Sequence, residues 1–298
     1  MQRSGNITAA TADSEVYDIV KTRIFSALVG LAVLGAFFAF YNTVAADIVV
    51  TVISILGIWE AYHAAGITKK HKAVFIIAAL FGCLMTNIPT VGASGYYGVI
   101  LLVFAYTLLH HRDFSVMDTI YSVLMGTALP LAFHLFISLR NQFGAEQGIL
   151  YLVFLLGSAW WCDTGGYFAG CLFGKHKLCP EISPKKTVEG LIGGLVITVL
   201  GNIGLLMLIA SLCGRGIGFL AQPVQLNLLR IALYSPILAL IGVLGDLSFS
   251  AIKRHFGIKD YGNIMPGHGG VLDRFDSVLF IAPAIYFIAS TPAFSIVL

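Results

Sequence analysis

The sequence predicts an all-α polytopic membrane protein of about nine transmembrane helices, and three observations carry that prediction. Only 11% of the 298 residues are charged and 58% are hydrophobic, against roughly 25% charged in a soluble globular domain. Apolar runs of about 18 residues or more recur along the chain, long enough at 1.5 Å per residue to cross a hydrocarbon core of about 30 Å. The basic residues, finally, collect on one side of those runs.

The runs fall at 24–41, 45–66, 73–91, 96–110, 116–138, 149–172, 190–212, 229–252 and 277–297, the fourth being the shortest. Ahead of them lies a polar tail, 1–20, with Asp13, Glu15 and Asp18. It lacks the basic start and cleavage signal of a secretory signal peptide, so the first run is expected to stay as a helix. Residues 21–298 read as a single membrane-embedded domain, since the runs leave no room for a soluble one. With nine crossings, one face collects Arg3, Lys21, Arg23, Lys69, Lys70, Lys72, Arg112, Lys175, Lys177, Lys185, Lys186, Lys253, Arg254, Lys259 and Arg274. The other face keeps only Arg140, Arg215 and Arg230. The richer face, with the N-terminus, is predicted to be cytoplasmic. A formal charge of +3 is too small to argue for nucleic acid. Cys83, Cys162, Cys171, Cys179 and Cys213 form no C-x-x-C pair, which argues against a zinc site or a disulfide framework.

Polar residues gather in the C-terminal half. In "WWCDTGGYFAGCLFGKHKLCPEISPKKTVEG" Asp163 sits inside an apolar run, where a carboxylate is costly and marks a polar cavity, a partner charge or a metal; pairing with Lys175 or Lys177 is the plainer alternative. Gly166, Gly170 and Gly174 follow four apart, one helical face on which small residues let another helix approach. The polar loop 174–190 ends in "SPKKTVEG", ahead of a helix expected near Val188. Ser183, Lys186 and Thr187 suit an anion site at a helix N-terminus, and they suit ordinary helix-start chemistry equally well. Asp246, Ser250 and Lys253 fall at i, i+4 and i+7, one stripe of a helix.

The next connector, "KDYGNIMPGHGGVLDRFD", is the most polar stretch between two apolar runs. Asp273 and Asp276 share a face if the ninth helix starts near Leu272. With Asp246 they offer the hard oxygen ligands that Mg²⁺ takes. Gly267, Gly269 and Gly270 around His268 permit close backbone approach to a ligand. A metal-assisted phosphoryl site is one reading and a glycine-rich hairpin loop the other. Glu60, near the end of the second run, is placed to point into the same cavity. His110, His111 and His176, with no carboxylate or Cys at ligand spacing, read as interfacial side chains, and His134 beside Pro130 as a polar helix contact.

Ser250-x-x-Lys253-Arg254, Lys259-Asp260, His268-Gly269-Gly270 and Asp273-Arg274-x-Asp276, in that order and at these intervals, resemble the signature of the CDP-diacylglycerol synthase (phosphatidate cytidylyltransferase) family. Asp163, the block Ser183–Gly190 and "RIFSA" from Arg23 resemble its other characteristic stretches, so the likeness covers nearly everything after the tail. Met265 departs from the Leu, Ile or Phe expected there.

The resemblance implies an enzyme that converts CTP and phosphatidic acid to CDP-diacylglycerol and pyrophosphate. It further implies Mg²⁺, with a second cation conceivable, a homodimer, and a place in a bacterial inner membrane with the site open to both cytoplasm and bilayer. On that basis Asp246, Asp273 and Asp276 are the expected metal ligands. Lys186, Ser183 and Thr187 are expected on the triphosphate, and Lys253, Arg254 and Arg274 between the two anionic substrates. Asp163, Ser250, Lys259, His268, Gly269 and Gly270 complete the expected binding set. A CTP-dependent kinase of a polyprenol-type lipid is the nearest alternative. An ion-coupled transporter is less favoured, because no second copy of the polar block appears.

Overall fold

The computed structural model describes residues 21, 26, 28–88, 92–214, 224–267 and 269–297. Helices occupy each predicted run: α1 (Leu28–Ala39), α2 (Val44–Ala64), α4 (Lys72–Asn87), α5 (Gly92–Leu109), α6 (Val116–Phe173), α7 (Val188–Gly214), α8 (Leu228–His255) and α9 (Leu272–Ser290), with a short α3 (Ile67–Lys70) between α2 and α4. Four of them, α2, α6, α7 and α8, are long and apolar enough to cross a membrane. Leu101, Leu108, Leu172, Leu200 and Leu229 point outward, as a helical protein embedded in lipid requires.

Local chemistry sets the ends. Thr43 caps α2 by accepting from the Ala45 amide, Asn227 caps α8 by accepting from Arg230, and Ser115 and Asp118 form a reciprocal capping box at the start of α6. The fifth and sixth runs join in one 58-residue element broken at Gly144, where φ is 82° and ψ 164°. A Cβ on Gly148 would lie 3.1 Å from the Arg140 backbone, whereas residues eight apart in a straight helix are about 12 Å apart along the axis. The chain therefore turns sharply there, and 116–143 and 145–173 act as separate helices. Arg140 holds the turn by pairing with Asp47 at 2.7 Å and donating to the Tyr41 and Thr43 carbonyls. Arg230 likewise donates to the Ser295 carbonyl at 2.6 Å. Two of the basic residues assigned to the sparse face are thus clamps between chain segments.

The two departures from the expected elements are local. The ninth run ends at Ser290, because 291–297 turns back and the Ile296 carbonyl accepts from Asn227. The loop 174–190 is not irregular: it folds into an antiparallel hairpin of β1 (Lys177–Cys179) and β2 (Ser183–Thr187), a small β addition to the all-α plan.

Both halves of α6 lie at the centre, against α2, α4, α5, α7, α8 and α9, and contribute Phe133, Phe136, Leu139, Leu150, Tyr151 and Leu155 to the core. The glycine face does what its spacing predicts. A Cβ on Gly190 of α7 would sit 2.8 Å from the Gly166 carbonyl oxygen, and one on Gly194 2.7 Å from that of Cys162. Backbone meets backbone, as small residues allow in helix pairs that lack a hydrophobic driving force. Gly194→Val is therefore expected to push α7 away from α6 at a cost of about 1–3 kcal/mol or more. The check is thermal melting in detergent, where a wild-type melting temperature would refute this close approach.

Candidate active site

The close approach of α6 and α7 sets the hairpin that joins them and decides where its residues point. Thr187 is buried, and its Oγ1 accepts from the Gly190 amide at 3.1 Å. It also packs against Gly170 and Gly174. Of the two readings of Thr187, helix-start chemistry is the one realised, and its hydroxyl is engaged in the cap. Glu189 ties the hairpin from the other side, accepting from the Lys175 and His176 amides at 3.0 and 3.2 Å. Lys177 pairs with Thr187 and Cys179 with Ser183, so β2 carries extra residues between the pairs. Such a bulge re-aims side chains, and here Lys186 reaches Asp246 of α8 and pairs with it.

Around Lys186 the bundle assembles a charge cluster from four elements. Asp163 from α6, Asp246 from α8 and Asp276 from α9 all act on its ammonium. Burial pulls the Lys186 pKa down, but the Asp246 carboxylate and then Asp163 and Asp276 outweigh that, holding it above the ordinary lysine value. Asp163 thus finds Lys186 rather than Lys175 or Lys177. Arg274 interacts with Asp163 as well. Lys186 and Asp246 remain 26% and 22% exposed in their side chains, so the pair is open to a ligand. Ser250 donates to Asp246 at 3.3 Å, one turn further along the expected α8 stripe.

Asp273 takes a different part from the one expected of it. Its side chain is 4% exposed, Oδ1 pairs with Lys253 at 2.7 Å, and Oδ2 accepts from the Tyr261 and Gly270 amides at 2.7 and 3.0 Å. Oδ2 thus holds the glycine-rich connector and Oδ1 the α8 lysine, and Lys253 in turn acts on Asp276, which links this pair to the Lys186 cluster. Gly267 and Gly269 have φ of 76° and 86°, a region in which only glycine is at ease, and the Gly269 carbonyl accepts from Met265. Arg254 donates to the Ile258 carbonyl at 3.2 Å, and both Arg254 and Lys259 are exposed. His268 lies outside the described residues. Glu60 does not face the cavity; it accepts from the Val271 and Leu272 amides at the start of α9.

Beside the charge cluster lies a cavity of about 1260 Å³. Its polar lining is Lys21, Ser26, Asp163, Asp273, Arg274, Asp276 and Ser277, and most of the rest is apolar, including Leu34 and Phe37 of α1, Val50 and Ile53 of α2, and Phe133, Phe136, Leu152 and Trp160 of α6. Among the described residues no three His, Cys, Asp or Glu side chains converge as a metal cage. Mg²⁺, though, is commonly held by one or two carboxylates, with waters and substrate phosphates filling the rest. Asp246 with either Asp163 or Asp276 offers such a carboxylate pair, and all three act on the Lys186 ammonium.

The profile of the cytidylyltransferase family matches residues 21–291, nearly the whole chain. The chain belongs to that family. Curated relatives named phosphatidate cytidylyltransferase include one from Bacillus subtilis, 43% identical over 191 residues that cover 63% of this chain and 65% of the relative. One from Staphylococcus epidermidis is 35% identical over 198 residues, covering 66% and 69%, and one from Staphylococcus aureus 38% identical over 184 residues, covering 62% and 64%.

The charged residues that gather here stand out in the sequence, but the apolar wall of the cavity does not. Phe37, Val50, Phe133 and Phe136 sit in predominantly apolar runs with apolar neighbours on several faces, so nothing in the pattern separates a cavity wall from a lipid-facing flank. Breaking the buried Lys253–Asp273 pair by Lys253→Met is expected to lower stability by about 3–5 kcal/mol, because it strands a buried carboxylate. Adding Asp273→Asn should recover part of that loss. Thermal melting of the two single variants and the double variant in detergent checks this, and additive losses would disprove the coupling.

Proposed function

We propose that this cytidylyltransferase transfers the cytidylyl group of CTP to phosphatidic acid, giving CDP-diacylglycerol and pyrophosphate for phospholipid synthesis. The observation that carries the proposal is a single site joining a cluster of opposite charges, Lys186 with Asp246, Asp163 and Asp276, to a large, mostly apolar cavity that Asp163, Asp276 and Arg274 help to line. A soluble phosphodonor and a lipid phosphate would meet there. The family membership and the names of the relatives support the same reaction, whereas a polyprenol kinase or a transporter gains no support from either.

In the proposed reaction a phosphate oxygen of phosphatidic acid attacks the α-phosphorus of CTP. The new P–O bond forms as the bond to the bridging oxygen breaks, and pyrophosphate leaves with the electron pair. No protein nucleophile is needed, because such transfers are accelerated chiefly by positioning and by neutralising charge. Lys186, protonated at neutral pH, would hold the triphosphate, with Ser183 beside it on the hairpin. Arg274 would receive the lipid phosphate in the cavity. Lys253, fixed by Asp273, lends positive charge nearby, and Arg254 and Lys259 present exposed cations toward incoming nucleotide. Asp246, with Asp163 or Asp276, would hold Mg²⁺, which when bound supplies charge neutralisation on phosphate oxygens. We place the site on the cytoplasmic face of a bacterial inner membrane, where the excess of basic residues and the supply of CTP coincide. A homodimer is part of the same proposal.

Purified protein given labelled CTP and phosphatidic acid should form CDP-lipid in Mg²⁺ and stop on chelation. A polyprenol offered in place of phosphatidic acid should yield nothing, and product on the polyprenol alone would overturn the proposal. Asp246→Asn is expected to cut turnover by about 10²-fold or more while the protein stays folded. Lys186→Gln should raise the KM for CTP well above the KM change for phosphatidic acid. Steady-state kinetics with each substrate varied in turn measures both.

A further inference from the structure

Glu60 is the one fully buried acid of α2, with 0% exposure, and it stands apart from the charge cluster. Its two oxygens accept separately, Oε1 from the Val271 amide at 2.9 Å and Oε2 from the Leu272 amide at 2.8 Å. These are unsatisfied donors at the start of α9, where partial positive charge favours a carboxylate. The contact joins residues 211 and 212 positions apart in sequence. Gly262 and Gly270 press on the same carboxylate, since a Cβ at either would collide with Oε1. Asp273 meanwhile takes the Tyr261 and Gly270 amides from the opposite side. The connector is therefore gripped between two carboxylates, one from its own helix and one from α2.

We propose that Glu60 is a positioning residue for the lipid-phosphate end of the site: by fixing the first two amides of α9 it sets where Asp273 and Arg274, the next two residues, stand in the cavity lining. The inference rests on the reaction proposed above. Glu60 touches no substrate in this scheme. It acts through the backbone that presents Arg274; Asp276 lies deeper in α9, and Lys186, proposed above for CTP, is carried by a hairpin outside the Glu60 contacts.

Glu60→Gln tests this with little change of shape, because the amide nitrogen that replaces one oxygen faces an N–H and cannot accept from it. With a buried donor left unsatisfied, the KM for phosphatidic acid is expected to rise about tenfold, and the KM for CTP to stay within about twofold of wild type. Glu60→Asp, which keeps the charge but shortens the reach, should fall between the two. Hydrogen exchange should quicken over residues 269–273 and remain unchanged in α7 and in the hairpin. A mere loss of folded enzyme would lower the maximal rate without moving either KM and would quicken exchange everywhere; that result overturns the proposal, as do wild-type kinetics in Glu60→Gln. Should the wild-type protein make no CDP-lipid, the reaction itself is refuted, while faster exchange confined to 269–273 would still establish the anchor.

Discussion

The site depends on one buried ion pair, Lys253 with Asp273. An unpaired charge in such surroundings costs several kcal/mol, and removing one partner leaves the other uncompensated. Here the carboxylate is also hydrogen-bonded to two amides, so the pair welds the end of α8, the start of α9 and the connector between them into one body. Its side chains are 10% and 4% exposed, well shielded from the screening that weakens surface pairs. Asp276 and Arg274 follow on the first turns of α9, and their positions are inherited from that weld.

The second constraint is the glycine contact between α6 and α7. Because the two backbones touch, the hairpin that joins them is drawn in over the bundle and Lys186 can reach Asp246 on α8. Asp163, a turn above the glycine face, comes into the same cluster from the α6 side. Three carboxylates around one ammonium would be an unstable arrangement in a dry interior without the lysine, and Lys186 stays charged because of them. The two charge systems differ in exposure. The Lys253–Asp273 pair is nearly closed to solvent, at 10% and 4% exposure, whereas the Lys186–Asp246 pair keeps 26% and 22% of its side-chain surface open.

Much of this was legible in the residues. Apolar runs and basic asymmetry outlined the helices because a bilayer forces backbone polar groups into them. Gly166, Gly170 and Gly174 declared a packing face by their spacing alone. The acids and bases of the site stood out because charge is rare in this chain, and so did Glu60. Less legible was the direction in which each side chain points. Asp246 and Asp273 looked like members of one metal seat since both are acids on adjoining helices; the fold gave Asp273 to Lys253 and to two amides, and Asp246 to Lys186. Thr187 looked equally suited to a phosphate or a helix start, and only its neighbours Gly170, Gly174 and Gly190 decide between them.

By itself the sequence determined the class of protein, the position of nearly every helix and the family, and it marked the rare charged residues, since hydropathy, spacing and motif order are properties of the chain. The tertiary structure alone decided the bend at Gly144, the folding of 174–190 into a hairpin, the grip of Glu60 on the first amides of α9, and the partition of charges into a closed pair and an open cluster. Those features depend on contacts between residues far apart in the chain, 211 positions for Glu60 and Val271. Hydrogen bonds across such distances are chosen by which backbones can approach, and that is settled only when the helices have packed.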